Sequence, residues 1–301
     1  MPDRTTVQID GKNLMLSNLD KVLYPAAGFT KAQVIDYYSR IAPALLPHLR
    51  ERPVTFKRYP DGVRGKFFYQ KECPEFRPNW LRTAAVLGRK NGPPINFCLL
   101  NDLPSLVWAA NLAALELHTS LSLAADPFAP TMLVFDLDPG PPAGILECAR
   151  VGLRLRELLE KLGLRSFPKT SGLKGLQVYV PLNLPASYEQ TRGFARACAE
   201  LLERQHPGLV VSKMNKKLRT GKVFIDWSQN DAHKTTVCVY SLRAAERPTA
   251  STPVAWTELE AALAKEAPEL LVFEAGEVLR RLARFGDLFA PVLTLKQQLP
   301  L

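Results

Sequence analysis

The sequence predicts a mixed α+β fold around a substantial core. Strand-like and helix-like segments alternate along it with no internal repeat and no low-complexity tract, which is the pattern of an α+β core. With 301 residues, 47% hydrophobic and 23% charged, the chain can form one large domain or two tightly joined ones. A third observation places chemistry on that core. Residues 132–140 read Met-Leu-Val-Phe-Asp-Leu-Asp-Pro-Gly, a buried strand that runs into two carboxylates and stops at a Pro-Gly turn.

The elements follow in order. A short strand is expected at Thr6–Ile9. Thr30 opens a helix over Lys31–Leu49, where Val34, Ile35, Tyr38, Ile41 and Leu45 recur at helical spacing on one side. Residues 50–90 carry eleven bases and four acids, with Phe56, Tyr59, Phe67, Phe68, Tyr69, Phe76 and Trp80 among them. Pro and Gly break this stretch into short strands and loops. Adjacent strand residues point to opposite faces, so at most one of Phe67 and Phe68 is core. The Leu- and Ala-rich run Leu103–His118 predicts a second helix that ends at His118. After the acid-ended strand, residues 144–162 are amphipathic at helical period. Strands at Arg165–Lys169 and Leu176–Leu182 flank the loop 170–175, and a helix spans Tyr188–Gln205. Lys222–Trp227 and Thr235–Tyr240 read as strands that pair with each other, and residues 256–288 as a closing helical region.

The net charge of +10 and pI near 9.4 favour partners rich in phosphate. Five cysteines, far apart and without a Cys-x-x-Cys pair, predict buried, reduced thiols. No apolar run reaches a membrane span, so a cytoplasmic protein with no membrane association is expected. The four histidines lack zinc-site spacing, which leaves carboxylates as metal ligands and Mg²⁺ or Mn²⁺ as the fitting ions.

Asp136 and Asp138 lie two residues apart, on one face of a strand and about 7 Å apart at Cα, so both can grip the same cations. Val223-Phe224-Ile225-Asp226-Trp227 is a second apolar strand with one acid, and a buried carboxylate is costly unless something compensates it. Together they suit a two-metal site, with ions about 3.5–4 Å apart that hold attacking and leaving oxygens. The loop Thr170-Ser171-Gly172-Leu173-Lys174-Gly175 offers hydroxyls, backbone N–H groups and a lysine between glycines, an arrangement able to cradle phosphate; an ordinary hairpin has the same composition. Five bases at Lys213, Lys216, Lys217, Arg219 and Lys222 lead into the Asp226 strand without one acid, making Arg219 a candidate triphosphate clamp, with Arg243 a second. The aromatic and basic mixture at 50–90 suits splayed nucleic acid, where bases stack on rings. An Asp-x-Asp pair alone also fits haloacid-dehalogenase-type phosphatases and some glycosyltransferases.

Seven segments in this order resemble one family. They are Asp20-Lys21-Val22-Leu23-Tyr24-Pro25, Arg52-Pro53-Val54-Thr55-Phe56-Lys57-Arg58, Leu115-Glu116-Leu117-His118, Phe135-Asp136-Leu137-Asp138-Pro139-Gly140, Lys169-Thr170-Ser171-Gly172-Leu173-Lys174-Gly175-Leu176, Phe224-Ile225-Asp226-Trp227 and Tyr240-Ser241-Leu242-Arg243. Over nearly the whole chain they resemble the polymerase domain of bacterial ligase D, a member of the archaeo-eukaryotic primase superfamily. The resemblance implies a primase-like core with a mainly antiparallel sheet flanked by helices. It implies one domain over 1–301, with an N-terminal α/β part at 1–125, a catalytic core at 126–250 and a helical part at 251–301. It also implies a metal-dependent nucleotidyltransferase of non-homologous end joining that extends or fills DNA ends, prefers ribonucleotides, associates with the nucleoid, and works with ligase and Ku-like end-binding proteins. The alternative is a non-catalytic DNA-end-binding module.

Carried over by position, the resemblance makes Asp136, Asp138 and Asp226 the metal-binding catalytic acids. His118, Ser171, Lys174, Arg219, Gln229 and Arg243 become nucleotide contacts. Lys21 and Lys31 bind a 5′-phosphate, Phe67 and Phe68 pack on template bases, Lys57 and Arg58 sit at the mouth of the site, and the basic segment 82–90 bridges DNA ends. In one departure, Gln177 stands where many relatives have histidine. No Lys-x-Asp-Gly motif occurs, so no sealing activity is expected from these residues.

Overall fold

The computed structural model describes residues 4–88 and 92–300, which fall into two compact units. The first unit takes residues up to Ser120 together with Thr235–Ala250 and Glu274–Gly286; the second takes Leu121–Lys234, Ser251–Phe273 and the chain from Asp287 onward. Along the first segment run β1 (Arg4–Ile9), β2 (Lys12–Ser17), β3 (Val22–Tyr24), β4 (Phe29–Thr30), α1 (Lys31–Leu49), β5 (Val54–Arg58), β6 (Phe68–Gln70), β7 (Thr83–Val86), β8 (Ile95–Cys98), α2 (Leu103–Asn111) and β9 (Ala114–Thr119). The second unit then supplies β10 (Met132–Pro139), α3 (Ile145–Lys161), β11 (Phe167–Thr170), β12 (Leu176–Pro181), α4 (Tyr188–Gln205), β13 (Val210–Val211) and β14 (Val223–Asp226). Finally β15 (Thr236–Val237) and α6 (Ala275–Phe285) belong to the first unit, α5 (Trp256–Ala264) and α7 (Pro291–Thr294) to the second. No helix among the described residues is long and apolar enough to cross a membrane.

In the first unit a six-stranded sheet runs β15-β9-β5-β8-β7, with β6 also paired to β5, and every pairing is antiparallel. Thr30 caps α1 by accepting from Gln33 N, while the Gln33 side chain accepts from Thr30 N. That reciprocal pair satisfies two N–H groups the helix start would leave orphaned. Tyr37 and Tyr38 anchor the helix below, donating to the carbonyls of Tyr240 and Leu115 at 2.7 Å each.

In the second unit the order is β11-β12-β10-β14-β13, with β10 antiparallel to β12 and β14, and β13 parallel to β14. The central strand β10 buries Leu133, Phe135 and Leu137 completely. Helix α3 packs on the Leu137 side: the Cys148 thiol lies 3.4 Å from the Leu137 carbonyl, and a Cβ on Gly152 would stand 2.9 Å from Leu176. Asp136 and Asp138 therefore face away from α3.

Several expectations need correction. Residues 103–118 do not form one helix: the chain turns at Ala113, at φ 56°, and residues 114–119 become a strand held between β5 and β15. Local Leu/Ala composition loses there to sheet pairing, and His118 is a strand residue. The strands near 222–227 and 235–240 are not partners. One pairs with β10 and β13, the other with β9. The region 256–288 breaks into α5, a 3-10 turn at Pro268–Leu271 and α6. Nor are all five cysteines reduced: Cys73 and Cys98 are disulfide-bonded, because the Cys73 backbone is tied to Asn96 at the edge of β8. Cys148, Cys198 and Cys238 are buried free thiols, as expected.

Candidate active site

Pairing within the second sheet sets the acids in a row. Asp136 lies opposite Asp226 on β14 and opposite Gln177 on β12, and Gln177 lies opposite Lys169 on β11. Directly paired residues of an antiparallel sheet share a face, so all four point to the side that Asp138 also faces. Asp138 is half exposed, at 49%. Burial first, then the charges of Asp138 and Asp226, push the Asp136 carboxyl up to about 6; a hydrogen bond from Gln177 Nε2 offsets only part of this.

Asp226 caps a short 3-10 turn. Its Oδ1 accepts from Ser228 N at 3.0 Å and Ser228 Oγ at 2.6 Å, and its Oδ2 from Gln229 Nε2 at 3.1 Å. Lys234 Nζ lies 2.7 Å from the same serine hydroxyl. With that carboxylate turned to local donors, no three His, Cys, Asp or Glu side chains among the described residues are gathered as a preformed cation site. The donor set still fits one. Three carboxylates share a sheet face, Asp136 holds its proton more tightly than an ordinary aspartate, and hard oxygen ligands suit Mg²⁺ or Mn²⁺.

This electrostatic conflict has a measurable consequence. For an acid whose folded pKa is raised, ionisation costs stability; the penalty is absent below 3.8, grows up to about 6 and is constant above that. With chelator present, Asp136→Asn is expected to stabilise the protein at pH 7.5 by on the order of 1–3 kcal/mol and to have no such effect at pH 4. Thermal melts at the two pH values check this, and an equal effect at both would contradict the assigned cause.

Around the acids, Gly140 ends β10 in contact with the Arg219 backbone, where any Cβ would lie 2.0 Å from the Arg219 carbonyl oxygen. That approach sets Arg219 Nη1 3.7 Å from Asp138 Oδ2, with the guanidinium 3.7 Å from the Phe224 ring centre and Nη2 donating to the Met214 carbonyl. The loop 171–175 is a hairpin, and its N–H groups are not all free: Ser171 Oγ accepts from Leu173 N at 3.2 Å and Gly175 N at 3.0 Å. Lys174 Nζ reaches the Pro139 carbonyl at 3.5 Å, at the end of the acid strand. The structure thus gathers Asp136, Asp138, Asp226, Gln229, Ser171, Lys174 and Arg219 in the second unit.

The first unit carries a different cluster, centred on a residue given no role from the sequence. Glu116 is fully buried on β9, beside His118 on the same face and opposite Lys57. Its carboxylate meets His118 Nε2 at 2.9 Å, Arg243 Nε at 3.3 Å, Lys57 Nζ at 3.5 Å, Ala244 N at 3.2 Å and the Tyr59 hydroxyl at 3.4 Å. Burial alone would raise the Glu116 pKa, but the His118 hydrogen bond and the charges of Arg243 and Lys57 bring it down to about 2. Burial, outweighing Glu116, holds His118 below its usual value. The alternation Ala-Leu-Glu-Leu-His is the signal that marks Glu116, an acid inside an apolar strand.

Phe67 and Phe68 are both exposed, at 52% and 44%, so neither is core. Lys57 Nζ lies 4.3 Å from the Phe67 ring centre and Arg58 5.1 Å from that of Phe68. Lys21 is exposed and paired with Asp61 at 2.9 Å. Lys31 is nearly buried at the start of α1, donating to the Ser17 carbonyl at 2.6 Å; burial, then Lys21 and Arg58, lower it to about 8. Of the basic segment 82–90, Arg82 pairs with Glu51, while Arg89 and Lys90 lie outside the described residues.

The fold defines the class. It matches the polymerase domain of Mycobacterium tuberculosis ligase D, solved in complex with DNA, with a TM-score of 0.86 and 40% identity over 94% of this chain and 99% of that one. The architecture is that of a primase–polymerase domain, a nucleotidyltransferase. A model of the LigD primase-polymerase domain matches residues 30–289. The chain is 42% identical over 283 residues to the multifunctional non-homologous end joining protein LigD of Mycolicibacterium smegmatis, and 33% identical over 251 residues to the bifunctional LigD of Bacillus subtilis. It belongs to the LigD primase-polymerase domain family. The matches cover 93% and 83% of this chain but span only 36% and 40% of those two relatives.

Proposed function

We propose that the chain acts as one primase–polymerase domain, a template-directed nucleotidyltransferase that extends or fills DNA ends and short gaps bearing a 5′-phosphate. Ribonucleotides are preferred, and the setting is double-strand-break or gap repair in the bacterial cytoplasm, alongside ligase and Ku-like end-binding proteins. The observation that carries this reading is the set of three carboxylates on one sheet face, with Lys174 and Arg219 beside them.

In the reaction the primer 3′-oxygen forms a bond to the α-phosphorus of a nucleoside triphosphate, the bond from that phosphorus to the bridging oxygen breaks, pyrophosphate leaves, and the hydroxyl proton passes to solvent water. Asp136, Asp138 and Asp226 would hold two Mg²⁺ or Mn²⁺ ions, which supply charge neutralisation at the attacking and leaving oxygens. Lys174 and Arg219 neutralise triphosphate charge, and Ser171 and Gln229 orient the loop and acid beside it. His118 and Arg243, held by Glu116, contact the nucleotide. Phe67 and Phe68 offer stacking surfaces for template bases, with Lys57 and Arg58 behind them. Incorporation of labelled nucleotide into a primed gap, in Mg²⁺ and in Mn²⁺ and with chelator, tests the reading; transfer that persists in chelator would contradict it.

Lys21 and Lys31 are assigned to the 5′-phosphate. Lys21→Ala is expected to weaken binding to gapped DNA that carries the phosphate and to spare DNA lacking it; equal loss on both would refute the role. Because Lys31 loses its proton as pH rises through about 8, the affinity advantage given by the phosphate should shrink between pH 7 and pH 9.5. Binding titrations with and without the phosphate at both pH values measure it.

A further inference from the structure

Lys169 is fully buried, on the second strand from Asp136, and the reaction as derived above gives it no part. A lysine is almost never fully buried unless its ammonium is partnered. Its Nζ lies 2.6 Å from Gln177 Oε1 and 2.6 Å from Ser251 Oγ. The Ser251 hydroxyl donates its own proton to the Thr170 carbonyl at 2.8 Å, so it can only accept from the lysine. Gln177, itself 4% exposed, turns its Nε2 to Asp136 Oδ1 at 3.1 Å.

The orientation of the glutamine amide is therefore not arbitrary. A flip would set the amide nitrogen against the ammonium and the amide oxygen against the carboxylate, opposing donors at one end and acceptors at the other. The lysine fixes the amide, and the amide pins one oxygen of the central acid. The row Lys169, Gln177, Asp136, Asp226 crosses four adjacent strands in direct register, so the chain of contacts is built into the sheet pairing.

We propose that Lys169 and Gln177 form a single positioning unit for Asp136, with the buried ammonium locking the amide that orients the metal-binding carboxylate. The proposal rests on the reading of Asp136 as a metal ligand. Groups that orient a ligand from behind typically change metal affinity or activity 10- to 100-fold when removed. Because the two residues act in series, removing either breaks the same contact, and their effects are not additive.

The test is Mn²⁺ binding to the whole chain, read as loss of the free-ion electron paramagnetic resonance signal, for wild type, Asp136→Ala, Lys169→Met, Gln177→Leu and the double variant Lys169→Met/Gln177→Leu. Lys169→Met and Gln177→Leu are each expected to bind Mn²⁺ roughly 10-fold more weakly, and the double variant no more than about twofold more weakly than either. Primer extension by Lys169→Met and by Gln177→Leu should recover towards the wild-type rate as Mn²⁺ is raised, a recovery that a general packing defect would not give. Should Lys169→Met fail to fold, Gln177→Leu, which removes only the amide, decides alone. Asp136-dependent binding in the wild type with unchanged or tighter binding in the folded variants overturns the positioning unit and leaves the metal site standing. Wild-type binding that does not depend on Asp136 overturns the metal reading, and the positioning unit with it.

Discussion

Asp136→Ala is expected to lower primer extension by at least roughly 10³-fold, because it removes the central ligand of a site that supplies several kcal/mol of charge stabilisation, at about 1.4 kcal/mol per tenfold. Asp136 is the acid that pairs with both neighbouring strands and stands between the other two carboxylates and Gln177. Neither Asp138 nor Asp226 has an equivalent position, so neither can substitute for it. DNA affinity should be largely preserved, since Lys21, Lys57, Arg58 and the exposed rings of Phe67 and Phe68 belong to the other compact unit. Extension assays beside a binding titration check both halves. Extension by the variant within about 10-fold of the wild-type rate in Mn²⁺ would remove Asp136 from the catalytic set.

The second large effect is on stability. Glu116 is the counter-charge for Lys57 and Arg243 and a hydrogen-bond partner of His118, all in a buried setting. Removing one partner of a buried ionic cluster leaves the others uncompensated, at about 3–5 kcal/mol. Linkage gives a similar figure: a carboxyl lowered from 4.5 to about 2 contributes about 3 kcal/mol, present above pH 4.5 and lost as pH falls towards 2. Glu116→Gln should therefore unfold at markedly lower denaturant concentration than wild type at pH 7, and the difference should close progressively below pH 4.5. The folded fraction should also bind nucleoside triphosphate about 10-fold more weakly, because the Arg243 and His118 side chains lose the group that orients them. A difference that stays constant from pH 7 to pH 3 would show that the cost is packing rather than charge.

Local signals with a single physical meaning were legible in the sequence. Thr30 with Gln33 starts α1 where the cap chemistry places it, and α4 runs over Tyr188–Gln205 because Ser187 and Gln190 repeat that device. The strand at 132–139 followed from an apolar run into acids, and its partner from the lone acid after Phe224 and Ile225. Features set by distant partners were not legible. The run at 103–118 has helical composition throughout, yet its last five residues are strand, because the turn at Ala113 is enforced by pairing with β5 rather than by a glycine. The Cys73–Cys98 bond joins residues whose proximity exists only once the loop carrying Cys73 is tied to Asn96 on β8. Lys169 reads as one more base before a hairpin; only the four-strand register reveals a buried ammonium two side chains from Asp136. Family resemblance carried the assignment of His118 and Arg243, and sheet geometry adds the residue that holds them, Glu116.

The central claim is template-directed nucleotidyl transfer, and its most direct measurement is single-nucleotide incorporation into a one-base gap with a 5′-phosphate, using each of the four templating bases and each labelled nucleotide in turn. The wild-type chain is expected to add the complementary nucleotide on every template, ribonucleotides ahead of deoxyribonucleotides, in the presence of Mg²⁺ or Mn²⁺. No incorporation in either metal by protein that still binds the gapped DNA would contradict it, and would make the chain a non-catalytic module that binds DNA ends.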